Sequence, residues 1–298
     1  MKHFTEDDVR RLLPMAECIE ALRSAFREYA AGKAVNQPRR RLYLDTGSVL
    51  HALAGANSKY FGTKVYASNP KFGANFFVLL FDAATAKPLA QFEGNHLGQI
   101  RTGAATGLAV DLLAPREAAT LAVIGAGFQA RTQVDAVRAV RNIKEVRAWS
   151  RHAEKREAFA AEMNAVAVDT AEQAVRGVDI VVTATWAKSP VLAAEWVHPE
   201  ALVCAVGSND PGRRELPGDL VGKASLLVLD DLTQGRMEAG DYCLALDEQG
   251  WEKVVPLTKV VAETGLRTPG IAIFKSVGLG LEDVAAAGLI YEKDCANK

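Results

Sequence analysis

The stretch Thr120-Leu-Ala-Val-Ile-Gly-Ala-Gly-Phe-Gln-Ala130 constrains this chain more than any other. A short apolar run with strand character gives way to Gly125, Gly127 and Ala130 in G-x-G-x-x-A spacing, and a helix is expected from about Gln129 to Val140. Such a turn binds a dinucleotide for three separate reasons. Gly125 makes the tight turn, Gly127 lets the backbone approach a pyrophosphate, and Ala130 lets the helix pack closely on the strand. Phe128 and Gln129 open the helix, whose N-terminus meets the phosphate charge.

The following 150 residues or so carry the rest of a doubly wound domain. Short apolar strands at Glu145 to Ser150, Val166 to Val168, Asp179 to Thr183, Leu202 to Val206 and Leu226 to Asp230 alternate with helices, an order that right-handed crossovers turn into a parallel sheet. The end of the second strand decides the ribose contact. An acid there would bind the 2'-hydroxyl of NAD and repel a 2'-phosphate. Here the run is Trp149-Ser150-Arg151-His152, with no acid. A hydroxyl and a guanidinium both donate to a 2'-phosphate, so NADP(H) is preferred and NAD(H) stays possible. Further along, Thr183 and Thr185 close one strand and Val206-Gly207 the next, at the sheet edge where a nicotinamide would lie. No further flavin-binding element is visible.

The remainder reads as a second, α+β domain. A helix from Pro14 to Ala31 is followed by strand-like runs at Leu42 to Leu44, Val49 to Ala54, Tyr60 to Ser68, Phe76 to Phe81 and Leu89 to Glu93. A helix rich in small residues is expected to start near Arg101 and to end at Pro115. The boundaries implied are 1–114 for a first domain, 115–270 for the nucleotide domain, and 271–298 for a return that completes the first.

With 298 residues, 24% of them charged and a formal net charge of -1, the chain offers no bulk attraction for nucleic acid or anionic membrane. No run is long enough to span a bilayer, and no secretory signal is visible. Cys18, Cys204, Cys243 and Cys295 lack metal or redox spacing, and fit buried thiols in a reducing cytoplasm. No metal site is expected.

Three cations outside the nucleotide domain are candidates for chemistry. Lys64 lies in the apolar strand Gly62-Thr-Lys-Val-Tyr66, Arg101 opens the small-residue helix, and Arg40 is central in an arginine triplet. Converging, they would form a pocket for a carboxylate, which arginine clamps in bidentate fashion. A lysine of lowered pKa can exchange a proton at the reacting centre. His51 and His96 have no partner at metal spacing and read as structural.

Several stretches together give the chain a specific resemblance over essentially its whole length. They are Gln37-Pro-Arg-Arg40, Gly62-Thr-Lys64-Val, Leu79-Leu-Phe-Asp82, Arg101-Thr-Gly-Ala-Ala105, Leu121 to Ala130, Pro211-Gly-Arg-Arg-Glu-Leu216, Glu238-Ala-Gly-Asp241 and Phe274-Lys-Ser-Val-Gly278. With these the chain resembles the ornithine cyclodeaminase/mu-crystallin family. The resemblance implies a Rossmann domain inserted in a substrate domain that dimerises through its sheet, and a substrate site lined by Arg40, Lys64 and Arg101. Thr102 and Ser276, in matching stretches, are candidate cofactor contacts. It also implies a small carboxylate-bearing amino or imino acid as substrate, with activities ranging over imine reductases, alanine dehydrogenases and ornithine cyclodeaminases, and with NADP-dependent binding proteins of the mu-crystallin type as a further possibility. One departure is informative. Asn209 stands where cyclodeaminases carry an aspartate, although Asp210 is adjacent. An amide cannot act as a base, so net redox chemistry is favoured over a lyase.

Overall fold

The computed structural model describes residues 1–296 and divides into two compact units. One comprises Met1–Ala104 with the return from Gly278, the other Ala105–Val277.

The first unit begins with β1 (Lys2–Phe4), α1 (Glu6–Leu12) and α2 (Met15–Ala30). Helix α2 buries Cys18, Ile19, Leu22, Ala25 and Phe26, one stripe at helical spacing. Five strands follow: β2 (Val35–Tyr43), β3 (Val49–Ala56), β4 (Tyr60–Asn69), β5 (Gly73–Asp82) and β6 (Pro88–Glu93). They form an antiparallel meander, with β1 added in parallel beside β6 at the edge. Helix α3 (Asn95–Leu113) then leads out of the unit.

The second unit contains β7 (Thr120–Ile124), α4 (Phe128–Val140), β8 (Glu145–Trp149), α5 (Ala153–Glu162), β9 (Val166–Ala167), α6 (Ala171–Val175), β10 (Ile180–Thr183) and β11 (Leu202–Ala205). It continues with α7 (Gly218–Lys223), β12 (Leu226–Leu229), α8 (Leu232–Glu238), α9 (Gly240–Cys243), α10 (Glu248–Glu252), β13 (Val254–Pro256), α11 (Leu257–Ala262) and β14 (Ala272–Lys275). All eight strands are parallel, in the order β13-β12-β14-β11-β10-β7-β8-β9. Every residue of β10, β11, β12 and β14 is buried, the pattern of strands covered on both faces. After β7 the chain winds outward through β8 and β9, then returns to β10 on the other side. The carboxyl ends of β7 and β10 therefore flank a topological switch point, where open α/β sheets bind ligands.

Helix α12 (Gly280–Ala296) belongs to the first unit and lies on the inner face of its sheet. A Cβ on Gly55 would come within 2.4 Å of the Leu281 backbone nitrogen, so helix and strand meet backbone to backbone.

Three expectations need correcting. Helix α3 starts at Asn95 rather than near Arg101, because the Glu6 carboxylate accepts hydrogen bonds from the backbone N–H groups of Asn95 and His96, both at 2.8 Å. That cap comes from a distant element and has no local signature. Residues 272–275, assigned above to the C-terminal return, form β14 between β11 and β12, so the second unit runs to Val277. The division at its other end falls within α3, between Ala104 and Ala105, rather than at residue 115. The short strands β1 and β13 also go beyond the runs read from the sequence.

Candidate active site

The candidate site residues fall into two groups, one in each unit. In the second unit, a cleft of about 1200 Å³ is lined by the glycine turn, the end of β8 and the segment after β10. Gly125 has φ +119°, a left-handed conformation that disfavours a side chain, and a Cβ there would stand 2.5 Å from the Ala184 carbonyl oxygen. Gly127 is different. A Cβ there would meet no protein atom within 4 Å, so nothing in the folded chain demands a glycine. The open space at the start of α4 fits a pyrophosphate lying against the backbone N–H groups. Ala130 is fully buried, whereas Phe128 is 41% exposed and Gln129 lies at intermediate depth.

The ribose end of the cleft is cationic. Ser150, Arg151, His152 and Lys155 line it. Arg151 and Lys155 are exposed and make no hydrogen bond or ion pair to another described residue. Ser150 donates to the His152 carbonyl at 3.1 Å. Asp169, an acid in the same cleft, is 3.2 Å from Arg156.

The hydroxyls expected to line the nicotinamide have another task. Glu215, fully buried, accepts from Thr183 Oγ1 at 2.9 Å, Thr185 N at 2.6 Å, Thr185 Oγ1 at 2.7 Å and Gly207 N at 2.8 Å. Asp241 accepts from the N–H groups of Glu215 and Leu216 at 2.6 and 2.9 Å, and its other oxygen lies 3.0 Å from Lys275 Nζ. Lys275 in turn donates to the Ser208 carbonyl at 2.7 Å. Burial pushes the Glu215 carboxyl above its ordinary pKa, against the pull of Lys275. Each of these partners of Glu215 is nevertheless able to donate, which suits the carboxylate. This network ties the ends of β10 and β11 together. Thr183 and Thr185 thus donate their hydroxyl protons within this network and hold the loops in place, and Thr185 also lines the cleft. Val206 continues the ladder, its N–H donating to the Thr183 carbonyl at 2.9 Å. Ser276 is likewise engaged with Asp230 at 3.0 Å, and Thr102 donates to Gly98 O in its own helix at 2.7 Å. Asp210 accepts from Gly212 N at 2.8 Å within its own turn, while Asn209 sits at intermediate depth.

In the first unit, Lys64 and Arg101 are brought together. Lys64 is 4% exposed and lies 3.2 Å from Asp283; Arg101 is 6% exposed and binds Asp283 through Nε and Glu282 through Nη1, both at 2.9 Å. Glu282 and Asp283 come from the first turn of α12. Gly278 has φ +74°, and a Cβ there would press to 2.6 Å from Arg101 Nη1. Burial lowers the Lys64 pKa to about 8, with Asp283 opposing and Arg101 reinforcing the shift.

Arg40 does not join them. It pairs with Ala52, which pairs with Val65, placing Arg40 on the face opposite Lys64, and it is exposed. Arg39 takes the inner position, 6% exposed, with Nη2 3.2 Å from the Gly278 carbonyl. The pairing of β2 with β3 is irregular between Gln37 and Arg40. In a sheet, a one-residue offset exchanges the two faces. Lys64, Arg101 and Arg39 thus gather at the start of α12 with Glu282 and Asp283, and guanidinium groups suit an anionic ligand.

Glu215, Asp241, Glu282 and Asp283 carry no local sequence signal of their buried roles. Lys275 differs, because it ends the apolar run Ala272-Ile-Phe-Lys275. Among the described residues, no cluster of three or more His, Cys, Asp or Glu side chains is arranged to hold a metal ion, and no helix is long and apolar enough to cross a membrane.

A glycine turn at the switch point of a parallel sheet, inserted in an α+β unit with a buried cationic cluster, defines a two-domain nicotinamide-dinucleotide oxidoreductase. The chain belongs to the ornithine cyclodeaminase/mu-crystallin family, whose sequence model matches residues 2–298. It is 33% identical to an alanine dehydrogenase of Archaeoglobus fulgidus over 97% of this chain and 93% of that protein. The structure of Thermococcus litoralis Δ1-pyrroline-2-carboxylate reductase in complex with NADH and L-proline superposes with a TM-score of 0.92 at 30% identity, covering 100% of this chain and 98% of that one. An archaeal alanine dehydrogenase dimer with bound NAD gives 0.93 at 32% identity, covering 100% and 97%. These relatives are dehydrogenases and reductases acting on small amino or imino acids, and a probable ornithine cyclodeaminase from Bordetella pertussis superposes as well, with a TM-score of 0.93 at 32% identity, covering 100% of this chain and 98% of that one.

Proposed function

We propose that the chain is an NADP(H)-linked reductase of small 2-imino acids, the reverse reaction being oxidation of the amino acid. The observation that carries this reading is the buried cluster of the first unit, in which Arg39 and Arg101 lie beside a lysine whose pKa lies at about 8.

Arg39 and Arg101 hold the substrate carboxylate. Lys64, as the ammonium, hydrogen-bonds the imine nitrogen. The nicotinamide cofactor, when bound, supplies the hydride that adds to C2. As the C=N bond gives up its π pair to nitrogen, Lys64 releases a proton there and the amine forms; atoms and charge balance without another reactant. Burial assists by holding Lys64 near the pKa at which a proton moves either way at neutral pH.

For the cofactor, Ser150, Arg151 and Lys155 at the ribose end of the cleft favour a 2'-phosphate, and Asp169 is held by Arg156. For oligomerisation, the outer face of the first sheet exposes Val35, Leu42, Leu50, Phe61 and Phe77, an apolar surface suited to a second copy of the chain. A monomer by light scattering would remove the dimer.

The test of activity is spectrophotometric: NADPH consumption with pyrroline-2-carboxylate, piperideine-2-carboxylate, or pyruvate plus ammonia. Turnover with at least one is expected. Proline formation from ornithine without net cofactor change would instead mark a cyclodeaminase. Tight cofactor binding with no rate, indifferent to Lys64→Ala, would mark a binding protein.

A further inference from the structure

In the second unit, Trp186 is 62% exposed although it sits one residue from an anchored backbone. Both ends of the loop that carries it are fixed to Glu215. Its carboxylate accepts from Thr185 N and Oγ1 at 2.6 and 2.7 Å, and its carbonyl accepts from Val191 N at 2.8 Å. Residues 186–190 therefore form a short flap closed at its base, and Pro190 stiffens one end. Trp186 is held from below as well. Arg213 Nη1 donates to its carbonyl at 2.9 Å, and the guanidinium lies over the indole, 4.5 Å from the ring centroid. Arg213 comes from the turn after β11, where its N–H donates to the Asp210 carbonyl at 3.1 Å; a Cβ on Gly240 would collide with the Arg213 carbonyl oxygen. The cation is the covered layer of this pair, its side chain 20% exposed, and the indole is the outer one.

Trp186 and Arg213 line the same cleft as the glycine turn, Ser150, Arg151 and residues 169–171. Strands β8 and β9, whose ends supply the last of these, lie on the far side of β7 from β10. A dinucleotide across the switch point puts its adenosine over that half, where the end of the second strand meets the ribose. An exposed indole lining that cleft offers the base a flat partner. Stacking uses the π-face of a purine and asks nothing of its edge. The guanidinium on the covered face holds the indole in position beforehand, so little side-chain freedom is lost when a ligand arrives.

We propose that Trp186, backed by Arg213, is the platform on which the adenine of the cofactor stacks, giving a sandwich of guanidinium, indole and base. This rests on the reading of the cleft as a nicotinamide-dinucleotide site. It is independent of the 2'-phosphate and of the substrate, because the base is common to NAD(H) and NADP(H).

The experiment titrates the full chain with ligands that carry or lack the base: ADP, 2',5'-ADP and NADPH on one side, nicotinamide mononucleotide on the other. Trp186→Ala is expected to weaken the first three alike by about 10-fold, the scale of one base–aromatic stack, and to leave nicotinamide mononucleotide unchanged. Trp186→Phe should restore most of the loss, and Arg213→Ala should cost about 3-fold, the scale of a cation–π contact. Three of the chain's four tryptophans, Trp149, Trp186 and Trp196, line the cleft. The spectroscopic signature is therefore a difference: ADP quenches indole emission in the wild type, and does so less in Trp186→Phe. NADPH binding by the wild type with unchanged affinity in Trp186→Ala overturns the platform alone. A loss that Trp186→Phe does not restore, or that nicotinamide mononucleotide shares, also overturns it, because the flap would then act only as structure. A wild-type protein that binds none of the four ligands overturns the dinucleotide reading of the cleft, and the platform with it.

Discussion

Replacing Glu215 with glutamine changes one atom's chemistry and leaves the shape almost intact. One carboxylate oxygen accepts from Thr185 N and Thr185 Oγ1, the other from Gly207 N and Thr183 Oγ1. An amide offers only one acceptor oxygen. Whichever way it turns, its NH2 faces a backbone N–H, of Thr185 or of Gly207. The hydroxyls can rotate to accept; the backbone N–H cannot. One buried donor is left unsatisfied and the amide hydrogens are crowded against it, costing about 2–3 kcal/mol. For a unit of this size that corresponds to a melting temperature lower by ~4–12 °C. The cost falls where β10 and β11 end, so the loops lining the cleft loosen and cofactor affinity falls with stability. Differential scanning fluorimetry with and without NADPH reads both effects. Glu215→Gln with unchanged melting and unchanged NADPH affinity would refute the claim that this carboxylate organises the cofactor edge.

Other expectations concern the charged groups. Because Lys64 acts as the ammonium in reduction, kcat/KM for the imine should fall as pH rises through about 8, whereas amino-acid oxidation, which needs the free amine, should rise there; Lys64→Arg, charged throughout, should lose both limbs, and profiles that keep them assign the titration elsewhere. Arg39→Ala should raise KM for the imino acid by about 10-fold or more, as expected for losing a charge-assisted hydrogen bond, while Arg40→Ala should leave that KM near the wild-type value; the reverse result would return Arg40 to the substrate site. Arg151→Ala should weaken NADPH about 10-fold and NADH little, on the same scale, measured by fluorescence titration. Equal losses for both cofactors would argue against a 2'-phosphate contact.

The glycine turn, the parallel series behind it and the singling out of Lys64 and Arg101 were legible because each depends on local pattern or on a charged residue in an apolar run. Arg40 misled because three consecutive arginines carry no mark of which one faces inward; a bulge in β2 decides that. The anchoring of Thr183 and Thr185 was not legible because their acceptor, Glu215, arrives from a loop some thirty residues later. The acids paired with Lys64 and Arg101 arrive from the other end of the chain, on α12, at sequence separations of 181 to 219. Local periodicity does not report contacts of that range, and the resemblance supplied the cations without these partners.

The most direct test of the central claim follows the hydride itself. The enzyme is given NADPH deuterated at the transferring position of the nicotinamide, with pyrroline-2-carboxylate, and the proline formed is analysed by mass spectrometry and NMR. The account predicts a single deuterium at C2, with one NADPH consumed for each proline formed. Proline without deuterium, or proline made only from ornithine with the cofactor pool unchanged, would contradict it.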